Sequence, residues 1–382
     1  MEALHIQVVD PSAYTPAYDH SLCAALAAAG ADVELVTSRF RHATPPRPGD
    51  YRLVEQFYRR SSTSRLSKRA RRALKLAEHG SDMLRYRHRA RQADVVHYQW
   101  LPVEPVDVHL LPRVRPRLLT AHDIVPREPR WGQVAATRKL IQKMDAVIVH
   151  SEHGAIRLSQ ELGADPARVH VIPHGAFDYL THLPDEAPLA PELAAVAEPV
   201  ILFFGQIRPY KGLDVLLAAF RDLAHADAEL WVIGAPRIPL EPLRRAAAEA
   251  PGKVRFDTRF LSDEEIPAYF RRADLVVLPY REIDQSGVLA TALAFGKPIV
   301  MSAVGAFPEV VEQHGAGRLV PPGDVATLAT TMNDLLSDRS ARNELAAAAK
   351  AAAAGPYSWT QVAEKTMALY RRLLRIDDEP PL

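Results

Sequence analysis

The stretch VILFFGQIRPYKGLDVLLAAF, Val200 to Phe220, joins a short apolar run to a longer run with helical spacing. The turn between the two runs carries Gly205, Arg208 and Lys211. A short, continuous apolar run is typical of a strand buried on both faces, and such strands occur in parallel sheets covered by helices. The stretch therefore predicts one strand-to-helix step of a parallel α/β sheet.

The same alternation continues on both sides of this stretch, where short apolar runs are separated by longer helical ones. The runs that predict strands are LHIQVVD, ADVELVTS, ADVVHYQW, RLLTAHD, AVIVHSE and VHVIPHG before it, and AELWVIGA, KVRFDTRF, ADLVVLPY, KPIVMSA and GRLVPPG after it. Alternating strands and helices indicate the α/β class. Because 382 residues exceed what one core usually holds, we expect two doubly wound domains.

The segment 183–199 is rich in proline and acidic residues and shows no clear hydrophobic period, which predicts a linker. It separates a first domain over 1–182 from a second domain over 200–355, and a last helix follows over 356–376. Ligands of doubly wound sheets bind beyond the carboxyl ends of the strands. We therefore expect the site in a cleft between the two domains.

The composition is typical of a globular protein, and we expect it in the cytoplasm. Hydrophobic residues make up 48% and charged residues 24%, no apolar run is long enough to span a bilayer, and the first residues lack the pattern of a signal peptide. The one cysteine, Cys23, lies in the apolar pattern SLCAALAAAG. We expect it in the core, and we expect neither disulfides nor a cluster of cysteine metal ligands.

Arginine and lysine are concentrated in residues 59–92, although the net charge of the whole chain is only +1. The spacing of Leu66, Ala70, Leu74 and Leu76 fits an amphipathic helix. One interpretation is peripheral contact with an acidic membrane at its inner face, or the reception of an acidic substrate. The other is a solvated helical face without a ligand. Nucleic acid would also suit the charge but is not the partner that we expect.

The ends of the predicted strands in the second half carry groups suited to a nucleotide diphosphate. Arg208 and Lys211 could make charge-assisted contacts with phosphate, and Gly205 lets the backbone approach it. Gly234, at the end of the strand in WVIGAPR, offers further open backbone. The alternative explanation of the basic pair is two solvated loop cations.

Two further strand ends indicate the same kind of ligand. Arg259 and Phe260 precede a helix start, where an aromatic ring and backbone groups could hold a nucleobase, although Phe260 could equally pack in the core. In YREIDQSGVLATALAFGKPIV, the amides of Ser286, Gly287 and Val288 open a helix and could bind phosphate with the help of the helix dipole. An ordinary helix cap would produce the same sequence pattern.

The order of these features resembles the retaining GT-B glycosyltransferases of glycosyltransferase family 4, also called glycosyl transferases group 1. The resemblance rests on FFGQIRPYKGLDVLLAAF, LSDEEIPAYFRRADLVVLPY, ALAFGKPIV and VGAFPEVVE, which follow one another in the family's order and at close to its spacing. It implies two Rossmann-like domains facing across a cleft, with a nucleotide-diphosphate sugar bound mainly by the second. It also implies sugar transfer to a hydroxyl acceptor with retention, and a last helix that crosses back to the first domain.

Matched to the family's motifs, Arg208 and Lys211 correspond to the basic pair at the donor pyrophosphate, and residues 286–288 correspond to the amides that hold the phosphates. His122, in LLTAHDIVPRE, corresponds to a histidine that the family's first domain points at the transferred sugar, and Asp123 follows it. A structural histidine at a strand end is the alternative. We expect no obligatory metal or other cofactor, because no clustered ligand spacing is visible and the two cations can neutralise the diphosphate.

The chain departs from the family at two acidic positions. The family places two glutamates eight positions apart, the first at the donor sugar and the second at the ribose, and these positions hold Ile283 and Thr291 here. Glu282 and Asp284 flank the first position, and we expect Glu282 to reach the sugar because it lies closer to the strand end. Thr291 cannot make the bidentate ribose contact of a glutamate, so its role stays open.

The turn after the first strand, PSAYTPAYDHSL, also lacks the family's glycine-rich sequence. Tyr14, Thr15, Tyr18 and Asp19 either line the acceptor side there or belong to a packed turn ordered by proline. Three alternative functions stay open: a GT-B sugar phosphorylase, a nucleotide-sugar epimerase, and a non-catalytic relative that binds a membrane or another anion. The sequence identifies neither the sugar, the base nor the acceptor.

Overall fold

A computed structural model describes residues 3–41, 49–63, 67–125 and 132–376. The chain divides into two compact units, of which the first combines Met1–Gly175 with Trp359–Leu382 and the second is Ala176–Ser358. The boundary between them lies after Gly175, whereas the sequence analysis places it after residue 182.

The first unit is built on a seven-stranded sheet in the described part of the chain. Its strands are β1 His5–Asp10, β2 Asp32–Ser38, β3 Arg52–Phe57, β4 Val95–Tyr98, β5 Arg117–Thr120, β6 Ala146–Val149 and β7 Val169–Val171. They are parallel and lie in the order β3-β2-β1-β4-β5-β6-β7. Its helices up to the first boundary are α1 Pro16–Ala28, α2 Arg59–Thr63, α3 Lys68–Arg89, α4 Glu104–Leu110, α5 Gln133–Gln142 and α6 Glu152–Leu162.

The second unit contains a six-stranded parallel sheet. Its strands are β8 Val200–Phe204, β9 Glu229–Ile233, β10 Lys253–Asp257, β11 Leu275–Leu278, β12 Ile299–Ser302 and β13 Arg318–Val320, and they lie in the order β10-β9-β8-β11-β12-β13. Its helices are α7 Pro191–Ala194, α8 Leu213–Arg221, α9 Glu241–Ala248, α10 Ile266–Arg272, α11 Gly287–Ala294, α12 Phe307–His314, α13 Val325–Ser337 and α14 Arg339–Ala354. Both units are therefore doubly wound α/β folds.

Burial explains why most of these strands could be found in the sequence. The central strands β4, β5, β6, β11 and β12 are buried at every residue because helices cover both faces of each sheet. The sequence analysis did not predict β3, the edge strand with the sequence RLVEQF. Half-exposed polar residues interrupt its apolar pattern because only one of its edges is paired.

The predicted linker 183–199 is a packed part of the second unit. Leu193 in α7 and Val196 after it are buried in the core of this unit, and Ala187 N donates a hydrogen bond of 2.8 Å to the carbonyl of Glu264. The proline-rich composition indicates little regular structure, as observed. It does not indicate exposure, since a few well-placed aliphatic side chains are enough to fix an irregular segment.

The last helix, α15 Trp359–Leu374, packs in the first unit although it follows the second unit along the chain. Tyr370 Oη lies 2.7 Å from His97 Nδ1 in the buried face of β4. A Cβ placed on Gly175 would overlap the Trp359 indole, so the absence of a side chain at Gly175 is needed for this packing. The core of the first unit is therefore made from both ends of the described chain.

Among the described helices, none is both long and apolar enough to cross a membrane. Cys23 is fully buried in α1, as the sequence analysis predicts.

Candidate functional site

The strand order of the second unit identifies where its ligand crevice lies. The order reverses direction between β8 and β11, and in doubly wound sheets this switch point opens a crevice beyond the carboxyl ends of the two strands. The turn after β8 contains residues 205–212, and the turn after β11 contains residues 279–286. Of the residues that the sequence analysis assigns to the donor, these two turns contain Gly205, Arg208, Lys211, Glu282 and Ser286.

Gly205, directly after β8, makes space for a cation. Its backbone has φ +95°, and a Cβ built on it would lie 2.8 Å from Lys211 Nζ and 3.1 Å from Val288 Cγ2. The Lys211 ammonium also lies 5.2 Å from the ring centre of Tyr280 and is largely buried. Lys211 and the start of α11 therefore converge on the same glycine.

Arg208 and Gly234 have different surroundings from Lys211. The Arg208 guanidinium is exposed and donates from Nε and Nη2 to Gln206 Oε1 at 3.1 and 3.0 Å. Gly234 has φ +136°, and a Cβ on it would overlap the carbonyl group of Gly205. The lack of a side chain at Gly234 therefore lets the turns after β8 and β9 pack closely, and its contact with a donor stays a prediction.

Arg281 ties the two turns of the crevice together, a role that the sequence analysis missed. Its Nη1 donates to the Pro209 carbonyl at 3.0 Å, and its Nη2 pairs with Asp214 Oδ2 at 2.6 Å. Its backbone amide donates to the Tyr210 carbonyl at 2.7 Å. In the sequence this residue is an arginine shortly after a predicted strand, a pattern too common to indicate a link between two turns.

The start of α11 carries a side-chain cap and still has amides without an acceptor inside the helix. Ser286 is the cap residue, and its hydroxyl accepts a hydrogen bond from Leu289 N at 3.3 Å. The first amides of a helix have no acceptor within the helix, so those of Gly287 and Val288 point out of its end. The ordinary cap and the anion site, which the sequence analysis treats as alternatives, are therefore compatible.

The two acids before α11 differ in accessibility. Glu282 is exposed, whereas Asp284 is only 6% exposed. Ile283, at the position of the family's first glutamate, is buried in the core of the unit, and a Cβ on Gly305 would overlap its carbonyl oxygen. An acid at position 283 would have to enter this core, so a carboxylate that serves the crevice must come from a neighbouring position.

Thr291 is buried on α11, and its hydroxyl donates to the Gly287 carbonyl at 2.9 Å. Arg259 is paired with Asp257 at 3.1 Å and also with Glu265, and the bond to Glu265 raises the pKa of the arginine. Phe260 is 51% exposed, which excludes the core position that the sequence analysis kept as its alternative. An exposed ring at a strand end is available to stack on a planar ligand.

The switch point of the first unit lies between β1 and β4 and has another construction. Asp10 ends β1, and its carboxylate accepts backbone hydrogen bonds from Ser12 at 3.0 Å, Tyr14 at 2.5 Å and Thr15 at 3.3 Å. The Trp100 indole, after β4, donates to Thr15 Oγ1 at 2.9 Å. The amides of this turn therefore already donate their hydrogen bonds to a side-chain carboxylate.

The structure separates the four residues predicted on the acceptor side. Tyr14 is 57% exposed and Thr15 is half-buried, whereas Tyr18 and Asp19 are buried. Tyr18 and Asp19 lie on the buried face of α1, as in the packed turn that the sequence analysis gives as the alternative to an acceptor site. Burial raises the pKa of Asp19 well above its usual value, and the neighbouring charge of Asp10 raises it further.

His122 follows β5 and lies in a cluster of rings rather than at the surface. Its Nε2 is 3.1 Å from Gln99 Oε1, and its Nδ1 is 3.2 Å from His150 Nε2. Trp100 stacks on the imidazole with ring centres 5.2 Å apart, and Tyr18 contacts it edge-on at 4.7 Å. Asp123 beside it is exposed, and the part of LLTAHDIVPRE beyond Val125 lies outside the described residues.

Burial keeps this histidine cluster neutral. It lowers the pKa of His97 and His174 to about 3 and that of His150 to about 4, and it lowers the pKa of His122 well below its usual value. The sequence analysis missed His150 and His174. The signal was available, because a histidine follows each of three neighbouring strands, β5, β6 and β7, near its carboxyl end.

The described part of the basic segment is the helix α3 with its flanks, while Leu66 lies outside the described residues. Some of its cations are bound to acids, for example Arg89 to Glu34 at 2.8 Å. Arg69 and Arg72 are exposed, and Leu76 and Leu84 are exposed large apolar side chains on the same helix. Within the described ranges, no group of three or more histidine, cysteine or acidic side chains is arranged to hold a metal ion.

Comparison with known families finds two matches that together cover most of the chain. The family model described as Glycosyltransferase Family 4 matches residues 18–176, and the model described as Glycosyl transferases group 1 matches residues 198–338. The two matches fall on the first and second units, respectively.

Several curated relatives carry glycosyltransferase names. The D-inositol 3-phosphate glycosyltransferase of Xylanimonas cellulosilytica is 30% identical over 292 residues, which cover 71% of this chain and 68% of that protein. The protein of the same name from Geodermatophilus obscurus is 32% identical over 275 residues, which cover 69% of this chain but only 59% of that protein. The MMP alpha-(1->4)-mannosyltransferase of Mycolicibacterium hassiacum is 28% identical over 253 residues, which cover 65% of this chain and 64% of that protein.

Solved structures share the fold over almost the whole chain. Sucrose-phosphate synthase from Thermosynechococcus elongatus has a TM-score of 0.77 at 21% identity and covers 98% of this chain and 100% of its own. Anabaena HepE, solved in complex with UDP and glucose, has a TM-score of 0.73 at 18% identity, with 97% and 100% covered. At these identities the likeness shows the two-unit α/β fold.

Proposed function

The chain belongs to glycosyltransferase family 4, the group 1 glycosyl transferases, and we propose that it moves a sugar from a nucleotide-diphosphate donor to a hydroxyl acceptor with retention of configuration. The observation that carries the proposal is the meeting of Lys211 Nζ and the start of α11 at Gly205. A largely buried ammonium beside the amides of a helix start is suited to a diphosphate. Anabaena HepE, with its bound UDP and glucose, supports a donor of this class.

Lys211 and the α11 amides would act mainly on the leaving group. When the bond between the sugar and the diphosphate breaks, negative charge grows on the departing phosphate oxygen. A fixed ammonium and fixed amides stabilise that growing charge more than the charge of the intact donor, so they lower the barrier rather than merely tighten binding. Arg208, being exposed and held by Gln206, would add charge from the rim. The reaction as proposed requires no metal ion.

For the sugar itself, we propose contacts from Glu282 and His122. Glu282 is the exposed acid of the turn after β11 and can accept hydrogen bonds from sugar hydroxyls, whereas Asp284 is buried. If this assignment is right, Glu282→Gln should lower turnover by about tenfold or more, since a charge-assisted bond is worth roughly 1.5 to 3 kcal/mol. Asp284→Asn serves as the comparison, and binding of the nucleotide diphosphate without sugar should be unaffected in both variants.

For the nucleoside, we propose that Phe260 stacks on the base, with Arg259, Ser286 and Thr291 nearby in the second unit. Phe260 is exposed at a strand end, while Thr291 is buried and bonded to its own helix. Thr291→Glu therefore tests the ribose contact. A tighter titration with nucleotide would place a ribose at this position, and unchanged or weaker binding would show that the ribose is held elsewhere.

The acceptor is a hydroxyl compound of unidentified structure, and we place it near Tyr14 and Thr15. Both are accessible at the switch point of the first unit. Two of the relatives are named D-inositol 3-phosphate glycosyltransferase and another MMP alpha-(1->4)-mannosyltransferase, and these different names do not select one acceptor here.

A ligand screen followed by product analysis tests the proposed function. Nucleotide sugars and free nucleotides are compared by thermal unfolding, where a ligand at about a hundred times its dissociation constant should stabilise the protein by roughly 2.7 kcal/mol. Products formed from the stabilising donor are then analysed by NMR for the anomeric configuration. An inverted product, a free sugar phosphate formed from phosphate, or an isomerised donor without any acceptor product would each overturn the assignment.

We also propose that the basic segment 59–92 contacts an acidic membrane surface from the cytoplasmic side. The exposed Arg69 and Arg72 lie on α3 together with the exposed Leu76 and Leu84, which is the composition of a helix that lies on a membrane. Replacing Arg69, Arg71 and Arg72 by glutamine should weaken binding to anionic vesicles, and added salt should weaken it too, because exposed charges are screened over about 10 Å at 0.1 M ionic strength.

The matched control replaces three exposed arginines of the second unit, Arg221, Arg244 and Arg245, by glutamine. It removes the same charge from the chain but leaves α3 intact. Equal loss of vesicle binding in both triple variants would show that only the overall charge matters. No vesicle binding by the unaltered protein would leave α3 as a solvated face.

A further inference from the structure

Four groups in the first unit form one continuous line of polar contacts. The carbonyl oxygen of Ile172 lies 3.0 Å from His150 Nδ1, His150 Nε2 lies 3.2 Å from His122 Nδ1, and His122 Nε2 lies 3.1 Å from the Gln99 amide. All four groups belong to the carboxyl ends of the strands β4 to β7. The line therefore begins at a group that can only accept a hydrogen bond, the backbone carbonyl.

The direction of every hydrogen bond in the line follows from this carbonyl. Because a carbonyl only accepts, His150 must carry its hydrogen on Nδ1. A neutral imidazole has one hydrogen, so His150 Nε2 holds a lone pair and must accept from His122 Nδ1. His122 in turn holds its lone pair on Nε2, and the Gln99 group that faces it must be a donor. Burial lowers the pKa of both histidines, which keeps them neutral.

The Gln99 amide provides an independent check on this direction. The Gln99 Oε1 atom lies 3.1 Å from His122 Nε2, while the buried Nε2 atom of Gln99 has no hydrogen-bond partner within the described residues. The oxygen and nitrogen of an amide cannot be told apart by shape, so their positions are assigned from the bonds they make. Turning the amide by half a rotation puts its NH₂ group against the His122 lone pair and removes a buried donor without a partner.

We propose that His150 is a positioning residue that holds His122 with its hydrogen on Nδ1 and its lone pair on Nε2, facing the Gln99 NH₂. Rings on several sides keep the imidazole from turning over. Trp100 stacks on it, Tyr18 contacts its edge, and Tyr18 also contacts His150 with ring centres 5.4 Å apart. With the hydrogen on Nε2 instead, the His122 Nδ1 lone pair would face the His150 Nε2 lone pair at 3.2 Å.

The tautomer determines what His122 can do to a sugar, and this consequence rests on the proposed function. With a lone pair on Nε2, His122 accepts a hydrogen bond from a sugar hydroxyl, which takes the place of the Gln99 NH₂. It cannot donate to a sugar oxygen from this nitrogen. A donor analogue in which fluorine replaces the contacted hydroxyl should therefore react as slowly as the analogue with hydrogen there, because neither can donate.

The direct test is nitrogen-15 NMR of the full protein with labelled histidine at pH 7. Long-range spectra identify which ring nitrogen carries the hydrogen, and the His122 signals are assigned by their proximity to the rings of Trp100 and Tyr18. We expect His122 to carry its hydrogen on Nδ1. A hydrogen on Nε2 of His122 in the unaltered protein would overturn the proposal, and this result needs no variant and no substrate.

Variants then test whether His150 is responsible. His150→Phe keeps a ring but removes the acceptor, so we expect His122 to become a mixture of tautomers and kcat to fall about tenfold. His150→Gln can still offer its side-chain oxygen to His122 Nδ1, and it should restore the tautomer and most of kcat. If His150→Phe leaves the His122 tautomer unchanged, the proposal is wrong.

His174→Phe is the matched control. His174 also contacts Tyr18 and His150 by its ring, at centre distances of 4.9 and 5.3 Å, but its Nδ1 lies 2.8 Å from the Gly175 carbonyl. It stands outside the line from Ile172 to Gln99, so its replacement should leave the His122 tautomer unchanged. Absence of any transfer by the unaltered enzyme would refute the proposed function, while the tautomer would still be decided by NMR.

Discussion

The turn after β8 and the turn after β1 occupy the same position in the strand order of their sheets, yet they are built differently. After β8, Gly205 leaves space that Lys211 Nζ and the start of α11 approach. After β1, the carboxylate of Asp10 accepts the amide hydrogens of Ser12, Tyr14 and Thr15. We propose that the first arrangement binds an anion, whereas in the second the amides already donate to the carboxylate of a side chain.

The difference teaches that strand order selects the place of a site but not its ligand. Both switch points open beyond the carboxyl ends of the strands. A second anion at the turn after β1 would meet the Asp10 carboxylate and amides already in use, so this turn is unsuited to phosphate. What it offers instead is a rim of accessible aromatic and hydroxyl groups, Tyr14, Thr15 and Trp100.

The largest expected difference between the units is their response to acid. Burial lowers the pKa of His20, His97, His122, His150 and His174 in the first unit below the usual value of 6.5. The stability that these histidines contribute is therefore fully present above about pH 6.5 and is lost as the pH falls toward about 3, because the unfolded chain binds protons first. Each such histidine contributes up to about 1.4 kcal/mol per pH unit.

Hydrogen exchange, followed for each unit at several pH values, measures this response. The first unit should lose protection before the second as the pH falls. His174→Phe removes one of the five groups and should make the loss shallower by up to about 1.4 kcal/mol per pH unit. Equal acid sensitivity of both units would contradict the expected difference.

The next effect concerns the packing of the crevice turns in the second unit. Gly212 has φ +66°, and a Cβ on it would overlap the carbonyl oxygen of Pro279. Gly212→Ala should therefore destabilise the protein by more than about 4 kcal/mol, measured by urea unfolding, which is exceptional for one substitution. Gly163 has the same φ of +66° but open space around it, so Gly163→Ala should cost only the backbone strain, about 1 to 2 kcal/mol.

A smaller effect, on catalysis rather than stability, separates the two cations of the turn after β8. Lys211→Met should lower kcat about 10- to 150-fold, the equivalent of losing a charged contact worth roughly 1.5 to 3 kcal/mol. Arg208→Ala should cost less than about fivefold, because this guanidinium is exposed. Steady-state kinetics measure both, with Arg221→Ala at the opposite end of α8 as the control. A change confined to KM in Lys211→Met would refute its role at the leaving group.

The smallest expected effect tests which acid of the turn after β1 carries the charge. Burial raises the pKa of Asp19 well above 3.8, so its stabilising contribution is full below that value and is lost as the pH rises through the folded pKa. Asp19→Asn replaces a neutral carboxyl by a neutral amide and should change stability little at low pH. At higher pH the free energy of unfolding of the variant should rise relative to that of the unaltered protein, by up to about 1.4 kcal/mol per pH unit. Parallel pH curves would show that Asp19 is not the protonated partner of Asp10.

Much of the fold could be predicted from the sequence because the parallel strands are continuous aliphatic runs. The runs ADVVHYQW and ADLVVLPY contain β4 and β11, and each of these strands is buried at every residue. The edge strand β3 was not predicted because polar residues interrupt its apolar pattern. The segment 183–199 was predicted to be a linker because local composition does not show that Leu193 and Val196 are buried.

The closeness of Lys211 to Gly205 could be predicted from the sequence, because both residues lie in the same strand-to-helix turn. The candidate site was less predictable where the direction of a side chain matters. Tyr18 and Asp19 lie on α1 beside accessible residues, and only tertiary packing turns them inward. The line from Ile172 through His150 and His122 to Gln99 joins residues far apart in sequence, which no local pattern could have connected.

The return of α15 to the first unit has a consequence for the chain as it leaves the ribosome. Ala176–Ser358 is contiguous and is synthesised whole before Trp359 appears, so this unit can fold as soon as it emerges. The earlier-made first part of the first unit must wait, because Tyr370, which bonds to His97, and Trp359, which packs on Gly175, are translated after the whole second unit. The half of the molecule that is made first is therefore the half that is finished last.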